Sequence, residues 1–238
     1  MKLFIIAFAF VLCGLSAFAQ NTVILQRGSD VIGQYNDFTQ AVVTAAQDGD
    51  IIFINNSLND ATITIDKQLS IIGAGFWPNS TSNEPGYTQI NCTLVFNNGS
   101  SGSFVTGIHF TNDVRITGST SISGITFDRC RFNNLYLAYG GADSFSSSNH
   151  IVRNCYINYL FGYLYSNYTV VNTIITNNIV RRVNSFNQLN IFTNNIFTGL
   201  DAGTSNFTFS NTSSCTFQNN IIFNSHNSYN CGTNFIFS

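Results

Sequence analysis

An all-β solenoid, a coil of parallel strands with one turn per repeat, is what this sequence predicts, on three observations. A seven-residue motif keeps returning: "IVRNCYI" at 151 to 157 is rewritten as "IITNNIV" at 174 to 180, "IFTNNIF" at 191 to 197 and "TFQNNII" at 216 to 222, with weaker copies "TFDRCRF" at 126 to 132 and "FVTGIHF" at 104 to 110. With Gly107, Arg129, Asn154, Asn177, Asn194 and Asn219 taken as equivalent, the spacings are 22, 25, 23, 17 and 25 residues, a period typical of stacked supersecondary units. Two columns of this alignment are apolar in every copy: Val105, Phe127, Val152, Ile175, Phe192 and Phe217 before the centre, and Phe110, Phe132, Ile157, Val180, Phe197 and Ile222 after it. Short β-branched and aromatic segments separated by Asn, Ser, Thr and Gly clusters exclude a helical repeat, which needs long stretches of period 3.6. The Leu-x-x-Leu-x-Leu framework of leucine-rich repeats is absent too.

Each element follows in order. Residues 1–19 carry one positive charge at Lys2, an apolar run from Leu3 to Leu15 and the small-residue pattern Ala17-Phe18-Ala19, which predicts a secretory signal peptide and hence a secreted or surface-exposed protein. No later segment reaches 18 uninterrupted apolar residues, so no transmembrane segment is expected in the mature chain. Residues 20–50 are expected to form an N-terminal cap and a first strand. Within them "NDFTQAVVTAAQDGD" offers Asp37 as a helix N-cap with Gln40 three residues on, and sets Phe38, Ala41, Val42, Ala45 and Ala46 on one face. That short helix is expected to cover the open end of the coil and hide its strand edges. Residues 51–238 are the rungs, and "NFIFS" at 234 to 238 reads as the start of a further motif, so the coil is expected to continue beyond the last residue.

Between the apolar columns the chain must bend, and there lie Asn154, Asn177, Asn194 and Asn219, followed by Cys130, Cys155, Asn178, Asn195 and Asn220. An amide carries two donors and an acceptor, so identical side chains stacked rung over rung can bond along the axis and satisfy a buried turn. Which of the two columns points inward is left open by the pattern. Cys130 and Cys155 become stacked neighbours, read as small buried core residues in preference to a bridge. With Cys92, Cys215 and Cys231 they make an odd number after cleavage, so at least one thiol is unpaired or pairs between chains.

These repeats, together with "AAQDGDIIFINNSLNDATITIDKQLSIIGAGF" at 45 to 76, "TQINCTLVF" and "SGSFVTGIHFTN", resemble the opening rungs of the right-handed parallel β-helices of the pectin-lyase-like superfamily. The resemblance covers nearly all of the mature chain and implies that fold, while its bearing on activity is weak. It also implies where chemistry would sit, and there the sequence departs from the enzymes. The clustered Asp residues and Gly-His-Gly of polygalacturonases and the arginine pattern of pectate lyases are absent.

Composition narrows the functions. Charged residues are 8% of the chain and the net charge is −2, which leaves no basic footprint for nucleic acid. No CxxC spacing supports zinc, and Asp60 and Asp66 read as turn residues in place of a calcium cluster, so no metal and no cofactor are expected. His150 and His226 lie in Ser/Asn-rich stretches and read as turn or surface residues. The aromatic run "CYINYLFGYLYSNY" at 155 to 168 reads as filler for the core and the next turn, with a sugar-stacking platform as the alternative. Sequons at Asn79, Asn91, Asn98, Asn167 and Asn206 would carry glycans only in a glycosylating host.

One charged cluster is the candidate site. Stacking brings Asp128 beside Arg153, and sets His109 and Tyr156 on either side of Arg131. Such a patch could hold an acidic sugar of a polysaccharide or surface glycan; as a solvated ion-pair ladder it would contribute little. The expectation is a carbohydrate-binding β-helix without catalysis in this segment. The alternatives are a polysaccharide lyase or hydrolase whose active residues lie beyond residue 238, and a structural or adhesive surface module.

Overall fold

The computed structural model describes residues 23–55, 57–59, 61–75, 87–140, 145–163, 168–186, 189–198, 207–209, 215–222, 229–230 and 236–237. The expected signal peptide, Asp60, Cys231, His226 and the sequons at Asn79, Asn167 and Asn206 lie outside them.

The chain is a parallel β-solenoid. A first sheet stacks the three-residue strands Phe104–Thr106, Thr126–Asp128, Ile151–Arg153, Ile174–Thr176, Ile191–Thr193 and Thr216–Gln218 in one parallel file. The register is direct: Val105 pairs with Phe127, Phe127 with Val152, Val152 with Ile175, Ile175 with Phe192 and Phe192 with Phe217. A second sheet does the same for Phe110, Phe132, Ile157, Val180, Phe197 and Ile222. Both files superpose as the alignment requires, and all but the last residue of the second are buried. Rings within them stack face to face, Phe110 on Phe132 at 5.2 Å and Phe192 on Phe217 at 4.7 Å. Each such side chain removed from water contributes about 2–3 kcal/mol. A third sheet, Ile122–Ser123, Phe145–Ser148 and Tyr168–Val171, closes the wall.

The first corner lies between the first and second sheets and resolves the open choice. All six reference positions have left-handed backbones: Gly107 (φ 70°), Arg129 (49°), Asn154 (56°), Asn177 (56°), Asn194 (55°) and Asn219 (53°). Asparagine is there because it tolerates that conformation better than other side-chain-bearing residues. At Gly107 a side chain is also excluded by space, since a Cβ would lie 2.6 Å from the Gly73 carbonyl oxygen. The following column points inward and forms the ladder. Asn178 Nδ2 donates to Asn195 Oδ1 at 3.0 Å, and Asn195 Nδ2 to Asn220 Oδ1 at 3.0 Å. The same amides donate to the carbonyls of Val152, Ile175 and Phe192 at 2.8–2.9 Å.

Cys130 and Cys155 take the same inner positions as free, buried thiols. Cys155 Sγ accepts from the Cys130 N–H at 3.4 Å as Asn178 Oδ1 accepts from the Cys155 N–H at 2.8 Å. Each thiol reaches back to a carbonyl, of Val105 or Phe127, that Asn178 and its successors would reach with Nδ2.

A second left-handed corner, between the third and first sheets, was not foreseen. Gly102, Gly124, Asn149, Asn172 and Leu189 have φ between 53° and 76°, and each lies five residues before its partner at the first corner. Its inner ladder is chemically mixed: Ser103, Ile125, His150, Thr173, Asn190 and Cys215, all buried.

At the N-terminal end the parallel order stops. Val23–Arg27 runs antiparallel to Ile51–Ile54, and Asp30–Tyr35 runs antiparallel to Val23–Arg27, so a hairpin forms the edge of the first sheet. The expected helix is present as a short turn whose Gln40–Ala45 portion is a π-helix. Asp37 caps it, its carboxylate accepting from the N–H groups of Thr39 (2.7 Å) and Gln40 (3.3 Å). Phe38, Ala41, Val42 and Ala46 are buried, and Ala45 packs against the same core. The Lys67 ammonium donates to the carbonyls of Val42 and Val43 at 3.2 and 3.3 Å, near the turn's C-terminal end where a cation is favoured. Asp50, paired with Arg27 at 2.8 Å, has its carboxyl held below the usual range by that hydrogen bond against the opposing effect of burial. Among the described residues no helix is long and apolar enough to cross a membrane.

Candidate functional site

The strands on either side of the first corner carry the predicted site residues on their outer faces, in two groups. In the first sheet Asp128 pairs in register with Arg153. Its carboxylate is nearly buried and accepts from Asn154 Nδ2 at 2.8 Å, with Arg129 Nε and Arg153 Nε each 3.4 Å away. Two guanidiniums and an amide thus share one carboxylate, which ties the left-handed residue Asn154 to the preceding rung.

In the second sheet Arg131 pairs with His109 on one side and Tyr156 on the other, as stacking predicts. The Arg131 guanidinium lies over the Tyr156 ring, 5.1 Å from its centroid. No ion pair or hydrogen bond of the Arg131 side chain is formed among the described residues. His109 is half-buried with Nδ1 unpartnered, and burial, with the Arg131 charge second, pulls its imidazole down to about 4. At neutral pH a neutral imidazole and an uncompensated cation therefore stand side by side on this face.

The same face continues with Tyr159 and Phe161 of the aromatic run and with Arg115, Tyr136, Tyr139 and Arg182, which the sequence reading did not single out. Tyr136 stacks on Phe161 (4.5 Å, 6°), Phe161 lies parallel to Tyr159 (6.1 Å, 4°), and Tyr139 meets Tyr136 edge to face. Arg115 lies 4.0 Å over the Tyr139 ring and Arg182 4.7 Å over that of Tyr159. Arg115 is shared with Asp113, which also accepts from Asn134 Nδ2 at 2.8 Å. The reading of 155 to 168 as core filler is corrected for the aromatics here: Tyr156, Tyr159 and Phe161 lie half-buried on the outer face, whereas Tyr168 fills the core with Ile157 and Leu160, and Tyr163 packs against it. The cause is local. After Ile157 both Asn158 and Tyr159 face outward before Leu160 turns in, so strict alternation fails.

Ring faces in this array are largely taken by neighbours along the axis. Tyr136 covers one face of Phe161, Arg182 lies on Tyr159, and Asn134 is the register neighbour of Tyr159 on its other side. What remains for a ligand is ring edges, the positive rim of the aromatic quadrupole, with guanidinium groups among them. Charge is also segregated along the chain. Residues 108–182 hold six arginines against Asp113, Asp128 and Asp143, whereas 27–84 hold Arg27 and Lys67 against six aspartates and Glu84. The small net charge conceals a cationic middle and an acidic N-terminal region.

His150, read as a turn or surface residue, lies at a turn and not at the surface. It occupies the second corner but is fully buried, with Nε2 2.7 Å from Ser147 Oγ. That Ser–His contact is no nucleophile and base. Nδ1 accepts from the Ile125 N–H at 3.1 Å, so Nε2 holds the proton and donates to the serine, which donates onward to the Leu137 carbonyl. Of the sequons named above, Asn91 and Asn98 lie within the described residues, and both have side-chain amides engaged, Asn91 with Asn59 and Asn98 with Ser119 at 2.8 Å.

Comparison of the chain with models of known families, with curated proteins and with solved structures finds no match.

Proposed function

We propose that the protein is an exported β-helix, related to the pectin-lyase-like superfamily, that binds an acidic polysaccharide or surface glycan without transforming it. The observation that carries this reading is Arg131. Its guanidinium is held on the Tyr156 ring, stands beside a neutral, half-buried His109, and meets no carboxylate among the described residues. A half-buried cation without a counter-ion is costly, and an arriving carboxylate that accepts two of its N–H groups relieves that cost. The apolar run and Ala-x-Ala pattern of residues 1–19 support export. The stacked parallel rungs and left-handed asparagine corners support the superfamily relationship. Asp128 and Arg153 frame the site from the neighbouring strand, where they neutralise each other and hold the corner in shape.

Binding of the mature protein to an array of neutral and acidic glycans tests the reading, with ultraviolet absorbance followed for unsaturated product. Acidic glycans are expected to bind and neutral ones of the same backbone to bind far more weakly. Arg131→Ala should lower affinity roughly tenfold to a hundredfold, the worth of one charge-assisted pair. Turnover that Arg131→Ala abolishes would overturn the non-catalytic assignment, and no glycan binding at all would favour a structural or adhesive module.

A further inference from the structure

The inner ladder of the second corner performs one task with several chemistries. In the later rung Asn190 Oδ1 accepts from the Thr173 N–H at 3.0 Å, and Asn190 Nδ2 donates to the Val170 carbonyl at 2.9 Å. His150 reproduces that pattern with a ring: Nδ1 accepts from the Ile125 N–H of the preceding rung, and Nε2–H donates sideways through Ser147 to the Leu137 carbonyl. Asparagine does this at any pH. An imidazole does it only while Nδ1 has a free lone pair.

We propose that His150 is an acid-operated latch in the solenoid wall: a proton taken up at Nδ1 turns the acceptor facing the Ile125 N–H into a donor, breaks one buried bond between the two rungs, and loosens the third sheet around Phe145–Ser148. The groups packed on the ring carry no charge to resist or assist this. Ile125 precedes it and Thr173 follows it in the ladder, and Ser147 with the Leu137 carbonyl lies beside it. Burial is the main influence on the ring, pulling it down to about 4, and the Ile125 N–H aimed at the Nδ1 lone pair likewise favours the neutral ring. A folded-state value below that of the unfolded chain means the unfolded chain takes the proton first. His150 therefore stabilises the fold fully above pH 6.5, and that stability is lost as pH falls from 6.5 towards 4. Across this window the unfolded-to-folded ratio should rise about tenfold per pH unit from this group alone.

The test is urea unfolding of the mature protein and of His150→Asn at pH 7.5 and 4.5. The unfolded-to-folded ratio extrapolated to water should rise roughly fifty- to a hundredfold more in the wild type than in the variant. His109 and the carboxylates titrate in both proteins and cancel in the difference. An equal rise in the two overturns the proposal. Should the variant fail to fold, nitrogen-15 chemical shifts of the wild-type imidazole decide: a neutral ring protonated at Nε2 with a midpoint below pH 5 supports the latch, and a midpoint near 6.5 or a proton at Nδ1 in the neutral ring sinks it.

Discussion

Along the first corner the early and late rungs share a backbone and differ in their skin. From Gly107 to Asn154 the outer positions carry His109, Arg131 and Tyr156 on one flank and Thr106, Asp128 and Arg153 on the other. From Asn177 to Asn219 the same positions carry Ile179, Ile196 and Ile221 on one flank and Thr176, Thr193 and Gln218 on the other. Inside, both halves share one file of buried apolar residues on each side of a left-handed residue, followed by an inward-pointing position that is Ile108, Cys130 and Cys155 in the early rungs and Asn178, Asn195 and Asn220 in the late ones. The difference teaches where specification resides. The inner columns and the corner dihedrals set the fold, and the outer columns are free to carry a charged site in one half and an aliphatic, amide-rich ridge in the other.

The largest test of that division is inside. Asn195→Ala removes two donors and an acceptor from a buried position and leaves the Asn178 N–H and the Ile175 carbonyl short of partners. It should cost about 3–5 kcal/mol in urea unfolding, given ~1–3 kcal/mol for each buried group left unsatisfied; a cost below 1 kcal/mol would mean that the ladder decorates the corner without holding it. A chemical test concerns the two thiols that replace asparagine. Burial pushes Cys130 up to about 12 and Cys155 well above its ordinary value. At pH 8 the native thiols should react with a disulfide reagent roughly a thousandfold more slowly than in urea, because the thiolate is the reactive form; equal rates would show that the corner opens readily.

Smaller effects probe the corner backbone and the skin. At the first corner Arg129, at φ 49°, stands where the other reference positions carry Gly or Asn. Arg129→Asn should stabilise the fold by about 0.5–1 kcal/mol, read as a raised melting temperature, since asparagine bears the left-handed conformation at lower cost. Ile179→Arg places a cation next in the column after Tyr156. It should change stability by less than about 0.5 kcal/mol, as surface substitutions do, while tightening binding to an acidic glycan. A large loss of stability there would end the separation of skin from frame.

Much of the frame was legible because it is repetitive. Val152, Ile175, Phe192 and Phe217 are alike in type, and the file they form could be read by aligning the motif to itself. The bend at the six reference positions was found for the same reason, although the residue types alone gave neither its left-handed backbone nor whether Asn177 or Asn178 faced inward. The second corner escaped notice because Gly102, Asn149 and Leu189 share a dihedral angle and no chemistry, and its ladder mixes Ser103, His150 and Asn190. His150 looked like a surface residue because its neighbours in sequence are polar, yet those neighbours are what make its burial tolerable. In the site the adjacency of His109, Arg131 and Tyr156 followed from register alone. The aromatic face did not, since the paired outward residues Asn158 and Tyr159 break the alternation by which strand faces are told apart.

The five-residue interval between the two left-handed positions of each rung is constant, whereas the chain between one rung's first corner and the next rung's second corner varies in length. The interval works as a gauge block. Whatever polypeptide departs from one hinge needs only to come home to the next, so a turn of the coil can swell into a new loop, or be excised whole, while the turns above and below still seat against each other.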